Sequence, residues 1–251
     1  MNIKDFFTAL NVFCISKNKS NMKHISILVL LFMAQSLLAQ PKAISFPKTA
    51  LSIQEFIPTD FFIIDSVQDD FNQDGLNDIV LVLALKTELS QDFSNETNRT
   101  LLILQKNLNG YQLSSYTTNG ILCKNCGGIF GDPFDYISLK KNILDIHHYG
   151  GSAWRWTSHF TFRFQQNRWE LIGISQDSFW INSDCDGQGI GDAGRNLTEV
   201  NFSTSKMNVT RTKGTECKPF KNTTIRFAKK PLIQLSQFNV DQTYWPIQVK
   251  D

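Results

Sequence analysis

The stretch TLLILQKNLNGYQLSSYTT, residues 100–118, decides the fold. Both halves are rich in β-branched, aliphatic and aromatic residues, which favour strands. Between the halves lies Asn109-Gly110, a dipeptide strongly favoured in the tight turns of β-hairpins. The sequence therefore predicts an antiparallel hairpin at this position.

Short strand-like segments continue on both sides of the hairpin. They cover residues 61–67, 79–85, 136–139, 143–148, 157–164, 169–175, 197–204, 207–212, 223–227 and 232–235. Asn167 and the pair Asn119-Gly120 are predicted turn residues, and the chain after residue 40 shows no pattern of a long helix. The spacing predicts an all-β fold, an antiparallel meander with the character of a sandwich or a propeller fragment.

Residues 1–40 read as a leader that contains a secretory signal peptide. A short basic start at Met22-Lys23-His24 precedes an apolar run at 25–38, which is too short to span a bilayer comfortably. Ala39 then offers a cleavage point. The residues before Met22 do not fit this pattern, so translation is expected to start at Met22. An N-terminal membrane anchor is the alternative.

The rest of the chain is predicted to be exported, to the periplasm or the extracellular space. Residues 41–58 read as a linker with a short helix at 50–56, and residues 59–251 as a single β-rich domain. The leader holds four of the 25 basic and one of the 23 acidic residues, so the mature part has a net charge of −1. Such a balance argues against nucleic acid or an anionic membrane as partner. No later stretch is apolar enough to cross a membrane.

Four cysteines lie outside the leader, and an even number in an exported chain predicts disulfides. Of the three possible pairings we favour Cys123–Cys126 and Cys185–Cys217. A redox function of the CxxC segment is disfavoured, because Gly127-Gly128 follows where a helix would be needed. A zinc site would require two more ligands, from the other cysteines or from His147 and His148.

One segment, DFNQDGLND at residues 70–78, has the spacing of a calcium loop. Oxygen-bearing side chains alternate along it, and Gly75 permits a sharp turn. It is not an ordinary EF-hand, because Leu81 stands where a glutamate would close the site and both flanks read as strands. A hydrogen-bonded Asx-rich turn is the alternative. The predicted ligands of Ca²⁺ are Asp70, Asn72, Asp74, the carbonyl group of Leu76, and Asp78.

The loop and the apolar strand 79–83 behind it resemble the calcium loops of FG-GAP/VCBS-type repeats, which occur in integrin-like β-propellers. In those repeats the aspartates hold calcium between two strands of a blade. The resemblance covers roughly twenty residues in a single copy. A propeller needs at least four blades, so the resemblance implies the ion site and not the whole architecture.

The central stretch 123–156 contains the strings CGGIFGDPF, YGGS and WRW, and it resembles segments of exported bacterial proteins. A hydrolase could use Ser152 as nucleophile, His147 or His148 as base, and Asp145 or Asp132 as orienting acid. No G-x-S-x-G elbow surrounds Ser152. A glycosidase could use two carboxyl groups from Asp132, Asp135, Asp145 and Glu170. A secreted hydrolase using residues 132–156 is therefore the alternative function.

Trp154 and Trp156 are two residues apart, so a strand would present both on one face and Arg155 on the other. Such a pair can stack on a sugar or on a partner side chain, or it can belong to the core. The sequence as a whole favours an exported, calcium-stabilised binding or structural module over an enzyme. Its partner would be a protein or a glycan.

Overall fold

The computed structural model describes residues 44–90, 97–185 and 191–246 and shows an all-β protein. The predicted signal peptide and the start at Met22 lie outside the described residues. The described strands are β1 (Thr49–Ala50), β2 (Phe61–Asp69), β3 (Asp78–Leu85), β4 (Arg99–Asn107), β5 (Gly110–Ile121), β6 (Phe134–Lys140), β7 (Ile143–Gly151), β8 (Trp154–Gln165), β9 (Arg168–Asp184), β10 (Gly191–Ala193), β11 (Asn196–Asn201), β12 (Lys206–Thr212) and β13 (Pro219–Arg226).

The strands form two antiparallel sheets in which most neighbours are consecutive in the chain, the exceptions being the β1–β5 and β9–β11 pairs. The first sheet has the order β1-β5-β4-β3-β2, and the second has the order β13-β12-β11-β9-β8-β7-β6, with β10 added beside β9. The predicted antiparallel meander is therefore confirmed in both sheets. The helices among the described residues are single 3-10 turns at Ile53–Phe56, Lys86–Leu89 and Leu235–Gln237. None of them is long and apolar enough to cross a membrane.

One hydrophobic core lies between the two sheets. Val80 and Ile103 of the first sheet belong to the same buried cluster as Ile146 and Phe162 of the second. The sequence DIVLVLAL of β3 is an uninterrupted apolar run after its first residue, and nearly all of it is buried. Such a run marks a strand that is covered on both faces. The alternating pattern of β7, in contrast, buries only every second residue.

The 100–118 hairpin forms as predicted, but its turn is shifted by one residue. Asn107 pairs with Gly110, so the turn residues are Leu108 and Asn109. The side-chain oxygen of Asn107 accepts a hydrogen bond from the Asn109 backbone N–H at 2.8 Å and supports this turn. Gly110 opens β5 with a φ of 131°, a value that L side chains rarely adopt.

Asn119-Gly120, expected to form a turn, lies inside β5. Glycine is needed at position 120 for space rather than for a turn. A Cβ there would lie 2.8 Å from the Cβ of Leu101 and 2.9 Å from the Cγ2 of Thr117. The Gln166–Asn167 turn between β8 and β9 agrees with the prediction, and both residues have positive φ, as the tight turn of a hairpin demands.

The segment 232–235 is not a strand. It makes one isolated bridge, between Glu170 and Gln234, and then enters the 3-10 turn in which Leu235 is fully buried. Near the other end of the chain, the predicted helix at 50–56 is replaced by β1 and a single 3-10 turn. Phe46 is buried and packs on Tyr116 of β5, so part of the predicted linker belongs to the folded unit.

Candidate functional site

The side chains of the Asp70–Asp78 segment fold inward onto their own backbone. The Asp74 N–H donates to Asp70 Oδ1 at 3.1 Å and to Asn72 Oδ1 at 2.9 Å. The Gly75 N–H donates to the second oxygen of Asp70 at 2.8 Å, and the Leu76 N–H donates to Asp74 Oδ1 at 2.9 Å. Two of the predicted ligands, Asp70 and Asn72, therefore share the Asp74 N–H, while the Asp74 carboxylate accepts from the Leu76 N–H and from the Asn72 side-chain amide.

Asp78, the last predicted ligand, is buried at the start of β3. Its two oxygens accept the backbone N–H groups of Phe71, at 3.2 Å, and of Lys106, at 2.8 Å. The pKa of Asp78 is raised to about 6, mainly by burial and to a smaller extent by the negative charges of Asp74 and Asp70, while these hydrogen bonds oppose the change. The carboxylates of the loop thus repel one another across a short distance.

Phe71 ties this loop to the second sheet. Its ring is buried and makes edge-on contacts with Phe164 at 4.7 Å and with Trp169 at 4.9 Å between ring centroids.

The donor set of the loop consists of hard oxygens, which is the chemistry that calcium prefers. Among the residues described, no group of three or more His, Cys, Asp or Glu side chains is arranged to hold a metal ion.

The central glycine-rich stretch, residues 123–156, folds back on itself and is closed by a disulfide and by backbone hydrogen bonds; we call it the clasp. The disulfides are Cys123–Cys126 and Cys185–Cys217, the pairing that the sequence favoured. After the first disulfide, Gly127 accepts a hydrogen bond from the Gly151 N–H at 2.8 Å, and Gly128 forms a bridge with Gly151. Glycine is required here, because a Cβ on Gly127 would lie 2.5 Å from the Gly131 carbonyl oxygen.

A buried arginine of the first sheet, Arg99, connects β4 to the clasp. Arg99 is 3% exposed and donates to Glu88 and to Asp132, with the closest contacts at 2.9 Å and 2.7 Å. Within the clasp, Arg155 packs on Phe130, with its guanidinium carbon 3.5 Å from the ring centroid. The strings that stood out in the sequence therefore contribute a disulfide, an ion-pair network and a cation–π contact.

The proposed hydrolase residues are not brought together. Ser152 lies in the exposed turn between β7 and β8, and its backbone N–H donates to the Trp154 carbonyl. His147 Nδ1 lies 2.8 Å from Asp135, whereas Asp145 contacts His159 at 3.0 Å. The acids considered for a glycosidase pair each contact another partner: Asp132 contacts Arg99, Asp135 contacts His147, Asp145 contacts His159, and Glu170 contacts Gln165.

His148 is fully buried beside Ser158, but the pair lacks the protonation that a catalytic dyad requires. The Leu122 N–H donates to His148 Nε2 at 3.2 Å, so a neutral ring carries its proton on Nδ1. This nitrogen lies 3.4 Å from Ser158 Oγ and can only donate to it. Burial, the largest cause, and the neighbouring His147 lower the pKa of His148 to about 3. In this tautomer His148 donates to Ser158 and does not accept its proton.

The two tryptophans of β8 have different surroundings. Trp154 is 42% exposed and tilts against Trp180 at 5.4 Å. Trp156 lies over Gly150, where a Cβ would come within 2.5 Å of its ring, and it lines a groove of about 650 Å³. This volume falls in the range of small-molecule sites. Of the two predicted ligand-binding residues, only Trp156 faces the groove.

The groove lies on the inner face of the second sheet, over β8, β9, β11 and β12. Its apolar surface includes Trp156, Phe160 and Trp245, and its polar side chains include Gln176, Asn196 and Arg211. Arg211 is held in place, because its guanidinium donates to the Leu197 carbonyl at 3.2 Å and to Thr198 Oγ1 at 3.1 Å. The local sequence pattern gives no sign of this polar set, because its members come from three strands whose register the pattern does not reveal.

The outer face of the same sheet carries a row of aromatic and acidic side chains. Tyr136, His147 and His159 occupy directly paired positions of β6, β7 and β8. Tyr136 stacks on His147 at 5.0 Å, and the two histidine rings are 5.8 Å apart. Tyr136 and His159 were not among the functional residues predicted from the sequence. A hairpin centred on Ala153 would have paired the two histidines, since they are equally distant from it in sequence.

Asp177 is a further carboxylate of the second sheet, and no sequence motif marks it. It is buried, and the Arg195 Nε–H donates to its Oδ2 at 2.7 Å. Its Oδ1 has no hydrogen-bond partner among the described residues. Burial raises the pKa of Asp177, and the charge of Arg195 opposes that change. The pair anchors the start of β11 to β9.

Comparison with known proteins adds no relative from which a function could be inferred. No protein-family description, no curated protein and no solved structure matches the chain.

Proposed function

We propose that the protein is an exported, calcium-stabilised binding module that holds a glycan in the groove beside Trp156. The groove carries this proposal, because it combines a tryptophan with amide and guanidinium groups. An indole ring can stack on the apolar face of a sugar, while Gln176, Asn196 and Arg211 can bond its hydroxyl groups. The fold is interpreted as a sandwich, because the two sheets share one core.

Calcium would act on the loop and not in the groove. Hydrogen bonds already hold Asp70, Asn72 and Asp74 close together in the loop. Burial is the main cause of the raised pKa of Asp78, and the charges of Asp74 and Asp70 add to it; a divalent cation would relieve this added repulsion. Phe71 connects the loop to the core, so an ordered loop would stabilise the contact between the sheets. Export is supported by the two disulfides, which persist in oxidising compartments.

The binding proposal is tested by screening the mature protein against an array of oligosaccharides and measuring the positives by calorimetry. We expect Trp156→Ala and Gln176→Ala to weaken binding at least tenfold, because stacking and a hydrogen bond are lost. Trp154→Ala, which removes a tryptophan outside the groove, is the matched control and should bind normally. Failure of the wild-type protein to bind any glycan, or equal losses in all three variants, would contradict the proposal.

The calcium proposal is tested separately by thermal melting in EDTA and in millimolar calcium. Calcium at a hundred times its Kd should stabilise the wild-type protein by about 2.7 kcal/mol. Asp74→Asn keeps the hydrogen-bond acceptor but removes one charge, so it should lose most of this effect. Asp65→Asn, on β2 outside the loop, should retain it. The same melting temperature of the wild-type protein in both buffers would contradict the calcium proposal.

A further inference from the structure

Two histidines on the outer face of the second sheet form a pair suited to a transition metal. His147 and His159 are directly opposite each other on β7 and β8. Their ring centroids are 5.8 Å apart, and the ring planes make an angle of 70°. Both side chains reach solvent, with 21% and 36% of their surface exposed. The site is on the opposite face of the strands from His148, which is buried.

Each ring has one nitrogen held by a carboxylate. His147 Nδ1 lies 2.8 Å from Asp135 Oδ2, and His159 Nε2 lies 3.0 Å from Asp145 Oδ1. A carboxylate only accepts hydrogen bonds, so in the neutral rings these nitrogens carry the proton. The lone pairs then lie on His147 Nε2 and His159 Nδ1, for which no protein hydrogen bond is found within the described ranges.

The two histidine–carboxylate hydrogen bonds are the kind that support the ligands of a metal site. Metal-bound histidines almost always donate their second N–H to a carboxylate or carbonyl, which fixes the tautomer and makes the ligand more basic. Asp145 is itself oriented by Thr161, whose hydroxyl donates to Oδ1 at 2.7 Å. The ring of His147 is fixed on its other side by the stacked ring of Tyr136.

The spacing of the rings also fits a shared ion. Metal–nitrogen distances of about 2.0–2.1 Å place the centroids of two imidazoles on one ion roughly 5–6 Å apart. We propose that His147 Nε2 and His159 Nδ1 bind one divalent transition-metal ion of the Zn²⁺, Ni²⁺ or Cu²⁺ class, with water in the remaining positions. Imidazole suits these metals, whereas calcium requires oxygen ligands. A site with two protein ligands exchanges its metal readily and remains open to a third ligand from solution.

The proposal does not depend on the calcium loop or on the groove. The experiment uses tag-free mature protein, zinc titration by calorimetry, and nuclear magnetic resonance of the imidazole nitrogens. We expect one equivalent of zinc to bind, with shifts at His147 and His159 but not at His148. His147→Gln and His159→Gln should each weaken zinc binding at least tenfold, while the fold remains intact by circular dichroism.

Two further variants separate metal binding from a structural effect. Asp135→Asn and Asp145→Asn should each weaken zinc binding about 10–100-fold, because the outer-shell acceptor is lost. Asp74→Asn should bind zinc normally, and excess calcium should not displace it. Unchanged zinc binding in the double variant His147→Gln/His159→Gln would overturn the proposal. So would a wild-type protein that binds no zinc.

Discussion

At the scale of single residues, the direction of each β-strand side chain decides its chemistry. His147 and His148 are neighbours in the chain, yet one contacts a surface aspartate and the other lies in the core. Strand alternation alone predicts that the two face opposite sides. It does not predict which of them is buried. That choice follows from Leu144 and Ile146, which share the inward side of β7 with His148.

The buried state of His148 predicts a pH dependence of stability. Its pKa is lowered to about 3 in the folded chain, against about 6.5 when unfolded. Between these values the unfolded state binds the additional proton, so stability is present above about pH 6.5 and is lost as the pH falls. We expect this group to contribute a slope of about 1.4 kcal/mol per pH unit.

Urea unfolding at a series of pH values between 7 and about 4 measures this contribution. His148→Gln keeps an acceptor near the Leu122 N–H, so it should fold but show a flatter pH profile than the wild-type protein. His147→Gln, at the surface, should retain the steep profile. Parallel profiles for the wild-type protein and His148→Gln would show that His148 does not control acid stability.

At the scale of elements, strands were predictable where the pattern is local. Residues 61–67, 79–85 and 207–212 lie within β2, β3 and β12, because each segment is itself rich in residues that favour strands. The two residues of β1 are too few to show a pattern, and they form a strand only because β5 is beside them. The groove and the histidine pair depend on register between strands, which is set by turns and tertiary packing.

The two disulfides should differ in their effect on stability. Cys123–Cys126 closes a loop with a sequence separation of 3, whereas Cys185–Cys217 spans a separation of 32. The chain-entropy relation predicts a loss of about 2 kcal/mol for the short loop and about 3–4 kcal/mol for the long one. Paired Cys→Ser variants, compared by urea unfolding, measure the difference. A larger loss for Cys123/Cys126 would show that the clasp contributes more than loop entropy.

At the scale of the whole molecule, the buried apolar side chains are divided unequally between a large cluster and a small one. The cluster shared by the two sheets includes Val80, Leu101 and Phe162. A separate small cluster of Val200, Met207 and Val209 lies on β11 and β12, near one end of the second sheet. Local stability follows local burial. The strands β11–β13 are therefore expected to open before β3 and β4 do.

Native-state hydrogen exchange distinguishes this behaviour from a single cooperative unit. Amides of β12 should exchange at least tenfold faster than those of β3 and β4, a difference of about 1.4 kcal/mol. Val209→Ala should accelerate exchange in β11–β13 and leave β3 unchanged, because it removes contacts only from the small cluster. Phe162→Ala, in the shared core, should weaken protection in both sheets. Equal acceleration of β3 by the two variants would mean that the two clusters unfold together as one cooperative unit.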